Sequence, residues 1–176
     1  DNENVESGTF LDSTAAEKLG LYYQTSLALT ASAAHRLTFA VDREEQKFSQ
    51  RGPASPFGDP NQDQELETTG LVLEYQGLDL GPFSVSVALR HDDNSDFDDI
   101  STYRVTGSYL VGSSATQLHV SLGTGQKSPT FIDRFGFFSD EFIGNPSIRP
   151  EKSEGWEIGL VQPLRDERLS VAATYF

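Results

Sequence analysis

Residues 83–90 read Phe83-Ser84-Val85-Ser86-Val87-Ala88-Leu89-Arg90, with large apolar side chains at odd positions and small or charged ones at even positions. A strand places successive side chains on opposite faces, so this stretch predicts a β-strand with one apolar face and one wet face. The same period runs outward in both directions. Downstream, Tyr103, Val105, Tyr109 and Val111 alternate with Thr102, Arg104, Thr106 and Ser108, and Leu118, Val120 and Leu122 with His119, Ser121 and Gly123. Then Trp156, Ile158 and Leu160 oppose Glu157 and Gly159, and Leu169, Val171, Ala173 and Tyr175 oppose Ser170, Ala172 and Thr174. Upstream, Leu71, Leu73 and Tyr75 oppose Gly70, Val72, Glu74 and Gln76. Leu37, Phe39 and Val41 oppose Arg36, Thr38, Ala40 and Asp42, and Leu19, Leu21, Tyr23, Leu27 and Leu29 oppose Gly20, Tyr22, Gln24, Ser26 and Ala28. That makes roughly eight segments, each close to the ~9–11 residues a tilted membrane strand needs.

The connections between these segments alternate in length. Short ones are expected at Ser32–His35, Gly77–Gly81, Gly112–Thr116 and Pro163–Glu167, and long ones at Glu44–Glu67, His91–Ile100 and Lys127–Pro150. Short periplasmic turns and long extracellular loops are the pattern of an outer-membrane barrel, which would place the long loops outside. Tyr22, Tyr23, Tyr75, Tyr103, Tyr109 and Trp156 lie near segment ends, as an interfacial aromatic girdle requires. A soluble β-sandwich also alternates, but its wet face would carry Lys and Glu, whereas here that face is mostly Gly, Ser, Thr and Ala. The fold class predicted is all-β, an antiparallel up-and-down meander.

Composition narrows the function. Of 176 residues, 36% are hydrophobic and 11% aromatic, which is little for a closed core but enough for a single apolar face. A net charge of −14 argues against a nucleic-acid partner, because phosphate neutralisation needs Lys and Arg. There is no Cys, hence no disulfide and no thiolate chemistry, and no phosphate loop or zinc spacing occurs. The chain opens Asp1-Asn2-Glu3-Asn4 and contains no Met, so it is expected to begin downstream of any leader.

From Ser121 to Leu160 the sequence reads SLGTGQKSPTFIDRFGFFSDEFIGNPSIRPEKSEGWEIGL. Gly123-Thr124-Gly125, Lys127-Ser128-Pro129-Thr130, Gly144-Asn145-Pro146, Pro150-Glu151-Lys152-Ser153 and Trp156-Glu157-Ile158-Gly159 occur in the order and spacing of the TonB-dependent receptors, and the stretch resembles their vitamin B12 and siderophore-type members. The Ala88–Asp93 run also resembles that family's strand-to-loop passage. The resemblance implies a 22-stranded transmembrane barrel enclosing a plug domain, situated in the bacterial outer membrane and importing a siderophore- or cobalamin-like ligand with energy from TonB. Residues 1–176 are then expected to be a segment of that barrel with the plug absent. The parity of Phe176 agrees, since it falls with Ser170, Ala172 and Thr174 rather than with the apolar set that would end a terminal strand.

The same resemblance makes the inward carboxylates Glu74 and Glu157 candidate contacts to plug arginines. Their alternative partners are Arg90 and Arg104 on the same face. The acidic run Asp92, Asp93, Asn94, Asp96, Asp98 and Asp99 offers hard oxygens, with Asp92, Asp96 and Asp98 as candidate Ca²⁺ ligands. Phe97 stands where an EF-hand needs Gly and no bidentate Glu follows, so a solvated acidic loop is the preferred reading. His119 and Ser121 have a spacing that resembles the outer-membrane phospholipase, but alternation puts both on the wet face, away from lipid, and no enzyme is expected. A self-contained eight-stranded barrel with a structural or adhesive role is the alternative. It would need bulk to fill its interior, whereas the wet face offers Gly20, Gly70, Gly123, Gly155 and Gly159.

Overall fold

Alternation in the sequence becomes one continuous antiparallel sheet in the computed structural model, which describes residues 2–6, 9–54, 56, 58–136, 144–164 and 168–176. The strands are β1 (Asn2–Glu6), β2 (Thr9–Ala28), β3 (His35–Arg51), β4 (Gln62–Leu80), β5 (Phe83–Asn94), β6 (Ile100–Val111), β7 (Thr116–Lys127), β8 (Glu151–Leu164) and β9 (Leu169–Tyr175), with a short helix α1 (Phe131–Phe135) between β7 and β8. Each strand pairs with the next in chain order, and β1 and β9 are the edges of the open sheet. The meander therefore has nine strands among the described residues. The strand not anticipated is β1, Asn-Glu-Asn-Val-Glu, which carries too little apolar alternation to announce itself.

Register aligns the apolar sets into rows. Leu27, Leu37, Tyr75, Val87, Val105, Leu122 and Trp156 form one row across seven strands. These side chains are not buried against a second layer: Leu27 is 62% exposed, Trp156 57% and Leu122 39%. Among the described residues only Ala40, Leu66 and Ile100 are buried apolar residues. A sandwich would cover this face with a second sheet, so that alternative fails on topology. A face this apolar is stable only against hydrocarbon or another apolar surface.

Two expected loops are shorter than their sequences suggested. Glu44–Glu67 is mostly strand, with only residues 52–61 outside β3 and β4, and β5 continues to Asn94. The ladder persists while the apolar set gives way to charge, from Leu37, Phe39 and Val41 to Arg43, Glu45 and Lys47. Cross-strand ion pairs replace apolar contacts there, with Arg43 Nη2 2.6 Å from Glu67, Lys47 Nζ 3.6 Å from Glu65 and Arg51 Nη2 2.7 Å from Asp63. Hydrophobic alternation disappears where the backbone pattern does not. The short turns at Ser32–His35 and Gly112–Thr116 are where the sequence placed them, but β4 runs on through the expected Gly77–Gly81 turn to Leu80, and Gly81, at φ +70°, turns β4 into β5; residues 165–167 of the expected Pro163–Glu167 turn lie outside the described residues.

Candidate functional site: the polar face and its outer loops

The polar face is also organised in rows. One runs Ser26, Thr38, Glu74, Ala88, Arg104, Gly123, Gly155, and the adjacent one runs Arg36, Gln76, Ser86, Thr106, Ser121, Glu157. Glu74 and Arg104 are thus two strands apart, about 10 Å of sheet. Glu74 instead accepts hydrogen bonds from Gln76 Nε2 at 2.8 Å and Ser86 Oγ at 3.0 Å.

Arg90 takes different partners from those the sequence suggested. Its Nη1 and Nη2 donate to Asp42 at 2.8 and 3.0 Å, a bidentate fork, while Nε donates to Asp92 Oδ2 at 2.9 Å. Asp42 lies on β3 and Arg90 on β5, so the guanidinium must cross β4. It does so over Gly70, where a Cβ would stand 2.3 Å from Arg90 Nη2. Asp42 and Gly70 both sit in the polar set by alternation, but their joint role depends on a contact between non-neighbouring strands, which no local pattern encodes.

Arg104 and Glu157 form no ion pair among the described residues. Both line a hollow of about 230 Å³ on the polar face, with Gln76, Ser86, His119 and Ser121. His119 lies over Gly159, where a Cβ would come within 2.5 Å of its Nε2, and makes no hydrogen bond to Ser121 among the described residues. The hollow therefore holds one cation and one carboxylate that are not paired with each other, beside Gln76 and Ser86, which both donate to Glu74. That chemistry suits docking a polar surface.

At the long-loop end, α1 folds over the polar side of the sheet. Thr130 caps it: Asp133 N donates to Thr130 Oγ1 at 3.1 Å, and Thr130 N donates to Asp133 Oδ2 at 3.0 Å, a reciprocal capping box. The Thr130 hydroxyl also donates to Asp133 Oδ2 at 2.7 Å, and this bond, followed by the one from Thr130 N, holds the Asp133 carboxyl below the ordinary carboxylate range. Phe131 stacks on Phe48 of β3 at 5.6 Å, and Gln62 Nε2 of β4 donates to Gly136 O at 3.2 Å. Arg134 is buried, at 5% exposure. Its Nη2 donates to the Asp96 carbonyl at 2.6 Å, and its guanidinium lies over Phe135 at 4.7 Å. In the sequence 127–150 reads as a loop, although Thr130 and Asp133 stand at capping-box spacing.

Between the two outer loops lies a cleft of about 630 Å³ lined by Asp96, Phe97, Asp98, Asp99, Ile148 and Arg149 among others. Arg149 Nε is 3.4 Å from Asp98 Oδ2. The three candidate Ca²⁺ ligands do not converge, because Asp92 faces Arg90, Asp96 faces Arg134 and Asp98 faces Arg149. The carboxylates that do approach one another, Glu45, Glu65 and Glu67, have oxygens within 4.8 Å but are engaged by Lys47 and Arg43. Residues 137–143 of the motif-bearing stretch lie outside the described residues.

Comparison with known proteins adds independent findings. Residues 2–176 match the family model described as TonB dependent receptor-like, beta-barrel. The vitamin B12 transporter BtuB of Photobacterium profundum is 34% identical over 73 residues, covering 42% of this chain and 11% of BtuB. Among solved structures, the siderophore receptor PirA of Pseudomonas aeruginosa aligns with a TM-score of 0.71 at 21% identity, over 92% of this chain and 30% of PirA. A variant of the ferric enterobactin receptor PfeA of the same organism gives 0.77 at 15% identity, over 92% of this chain and 26% of PfeA. At these identities the structural likeness shows the fold, and the chain spans about a third or less of each relative.

Proposed function

Because the chain belongs to the TonB-dependent receptor-like β-barrel family, whose proteins are outer-membrane barrels, we propose that it forms part of the wall of an importer energised through TonB, with a cobalamin-like ligand first and a siderophore-like one second. The observation that carries this reading is the polar face. It is lined with glycine and hydroxyls, and Arg104 and Glu157 share one hollow with no ion pair among the described residues, as a wall does when another domain is to sit against it. A plug is that occupant. A closed eight-stranded barrel finds no support in an open sheet whose edges are β1 and β9.

The outer cleft supports the ordering of ligands. Asp96, Asp98 and Asp99 outnumber Arg149 along its lining, so a polyanionic ferric catecholate meets net repulsion there, whereas an amide-rich corrinoid does not. The test is uptake of radiolabelled cyanocobalamin and of ferric enterobactin by cells expressing the full-length receptor, with and without a working TonB. TonB-dependent cobalamin uptake is expected. Accumulation of neither ligand, or uptake indifferent to TonB, refutes the reading.

A further inference from the structure

The apolar face carries an open groove at Gly107 among the described residues. Gly107 belongs to the apolar set of β6, in a row that runs Val85, Gly107, Val120, Ile158, Tyr175 across five strands. With no side chain at Gly107 the row opens into a groove of about 380 Å³, bordered by Phe83, Val85, Tyr109, Leu118, Val120 and Ile158 among others. The Phe83 and Tyr109 rings, 4.7 Å apart and tilted by 38°, close its short-turn end.

Neither backbone nor packing requires glycine here. Gly107 is not among the positive-φ glycines. A Cβ added to it would touch Val120 Cγ1 at 3.5 Å, an ordinary contact. Glycine within a strand is otherwise unfavourable, by up to ~1 kcal/mol on strand-propensity scales. The absence of a side chain therefore keeps the groove open and serves nothing else visible in the structure.

We propose that this groove binds one acyl chain of a phospholipid from the leaflet at the short-turn end, as a defined site rather than as part of a fluid annulus. The inference rests on the membrane reading above, since the groove is continuous with the exposed apolar rows of that face. Its depth fits one leaflet. From Gly107 to Val111, where β6 ends, a strand at ~3.4 Å per residue and ~40° tilt descends about 10 Å, which sets the groove below the headgroups and within hydrocarbon. Ser84, Ser108 and His119 also border it, but the surface it exposes is almost entirely aliphatic and aromatic carbon, which suits a hydrocarbon chain rather than a charged headgroup.

The test uses the intact receptor in detergent, titrated with dioleoyl phosphatidylethanolamine and examined by native mass spectrometry at rising collision energy. Wild type should keep one phospholipid after the rest are stripped. Gly107→Leu should lower that retained fraction at least fivefold, Gly107→Ala about twofold, and Thr25→Leu, on the apolar face of β2 away from the groove, should leave it unchanged. Equal retention in wild type and Gly107→Leu overturns the proposal, as does equal loss in Thr25→Leu or retention of detergent instead of phospholipid. If the receptor stays monodisperse in buffer without detergent, the membrane reading itself fails, an outcome separate from the others.

Discussion

At Gly70 an added Cβ would stand 2.3 Å from Arg90 Nη2 and 2.8 Å from Asp42 Oδ1, so any side chain there occupies the space through which the guanidinium crosses β4. Gly70→Val is expected to break the bidentate pair. Both partners are partly exposed, with side chains at 36% and 21%, so the cost is about 1–2 kcal/mol rather than the larger penalty of a fully buried pair. Thermal unfolding of the intact receptor in detergent reads it, and the effect should be strongly non-additive with Arg90→Ala. Glu157→Gln belongs to the same scale. If Glu157 receives a plug cation, the variant lowers both the unfolding midpoint and ligand uptake, and unchanged values of both would remove it from that role. The face each of these residues occupies was legible from alternation alone. Their partners were not, because Asp42 and Arg90 meet across an intervening strand.

The element whose structure departs most from its sequence reading is α1. Helices of this length do not hold in isolation, and α1 is fixed by its cap, by the Phe48–Phe131 stack and by Arg134. Thr130→Ala should cost about 1 kcal/mol of local order, seen as faster proteolysis between β7 and β8 with the barrel intact. A pH dependence follows from Asp133, whose pKa is lowered in the folded loop. Its contribution is complete above the unfolded value of about 3.9 and is lost as pH falls through the lowered folded value. Cleavage of the loop should therefore be constant from about pH 5 to 8 and rise only below about pH 4, and Asp133→Asn should abolish that rise. The extended β3–β4 ladder escaped sequence reading for a different reason. Above Val41 the outward residues are charged, so polarity no longer alternates while hydrogen bonding does.

At the scale of the whole molecule, the described residues form nine strands in one open sheet with an exposed apolar face. Residues 1–176 produced alone are expected to aggregate in buffer and to disperse in detergent, because both a sheet edge and an apolar face seek partners. Light scattering under the two conditions checks this, and a dispersed monomer in plain buffer would contradict it. The general architecture was readable because a barrel wall is built from one repeated decision, in or out, made at each residue; bracing between distant elements is not periodic and left no such trace. The overshoot of β3 and β4 has one further consequence. From Arg43 to Arg51 the strand climbs roughly 27 Å along its length, or about 20 Å in height at the usual tilt. In the importer proposed above, this wall would give the ligand a walled antechamber well above the bilayer. There a molecule that misses its site on first collision rebounds from the palisade and tries again, so capture at scarce concentrations depends less on the first encounter.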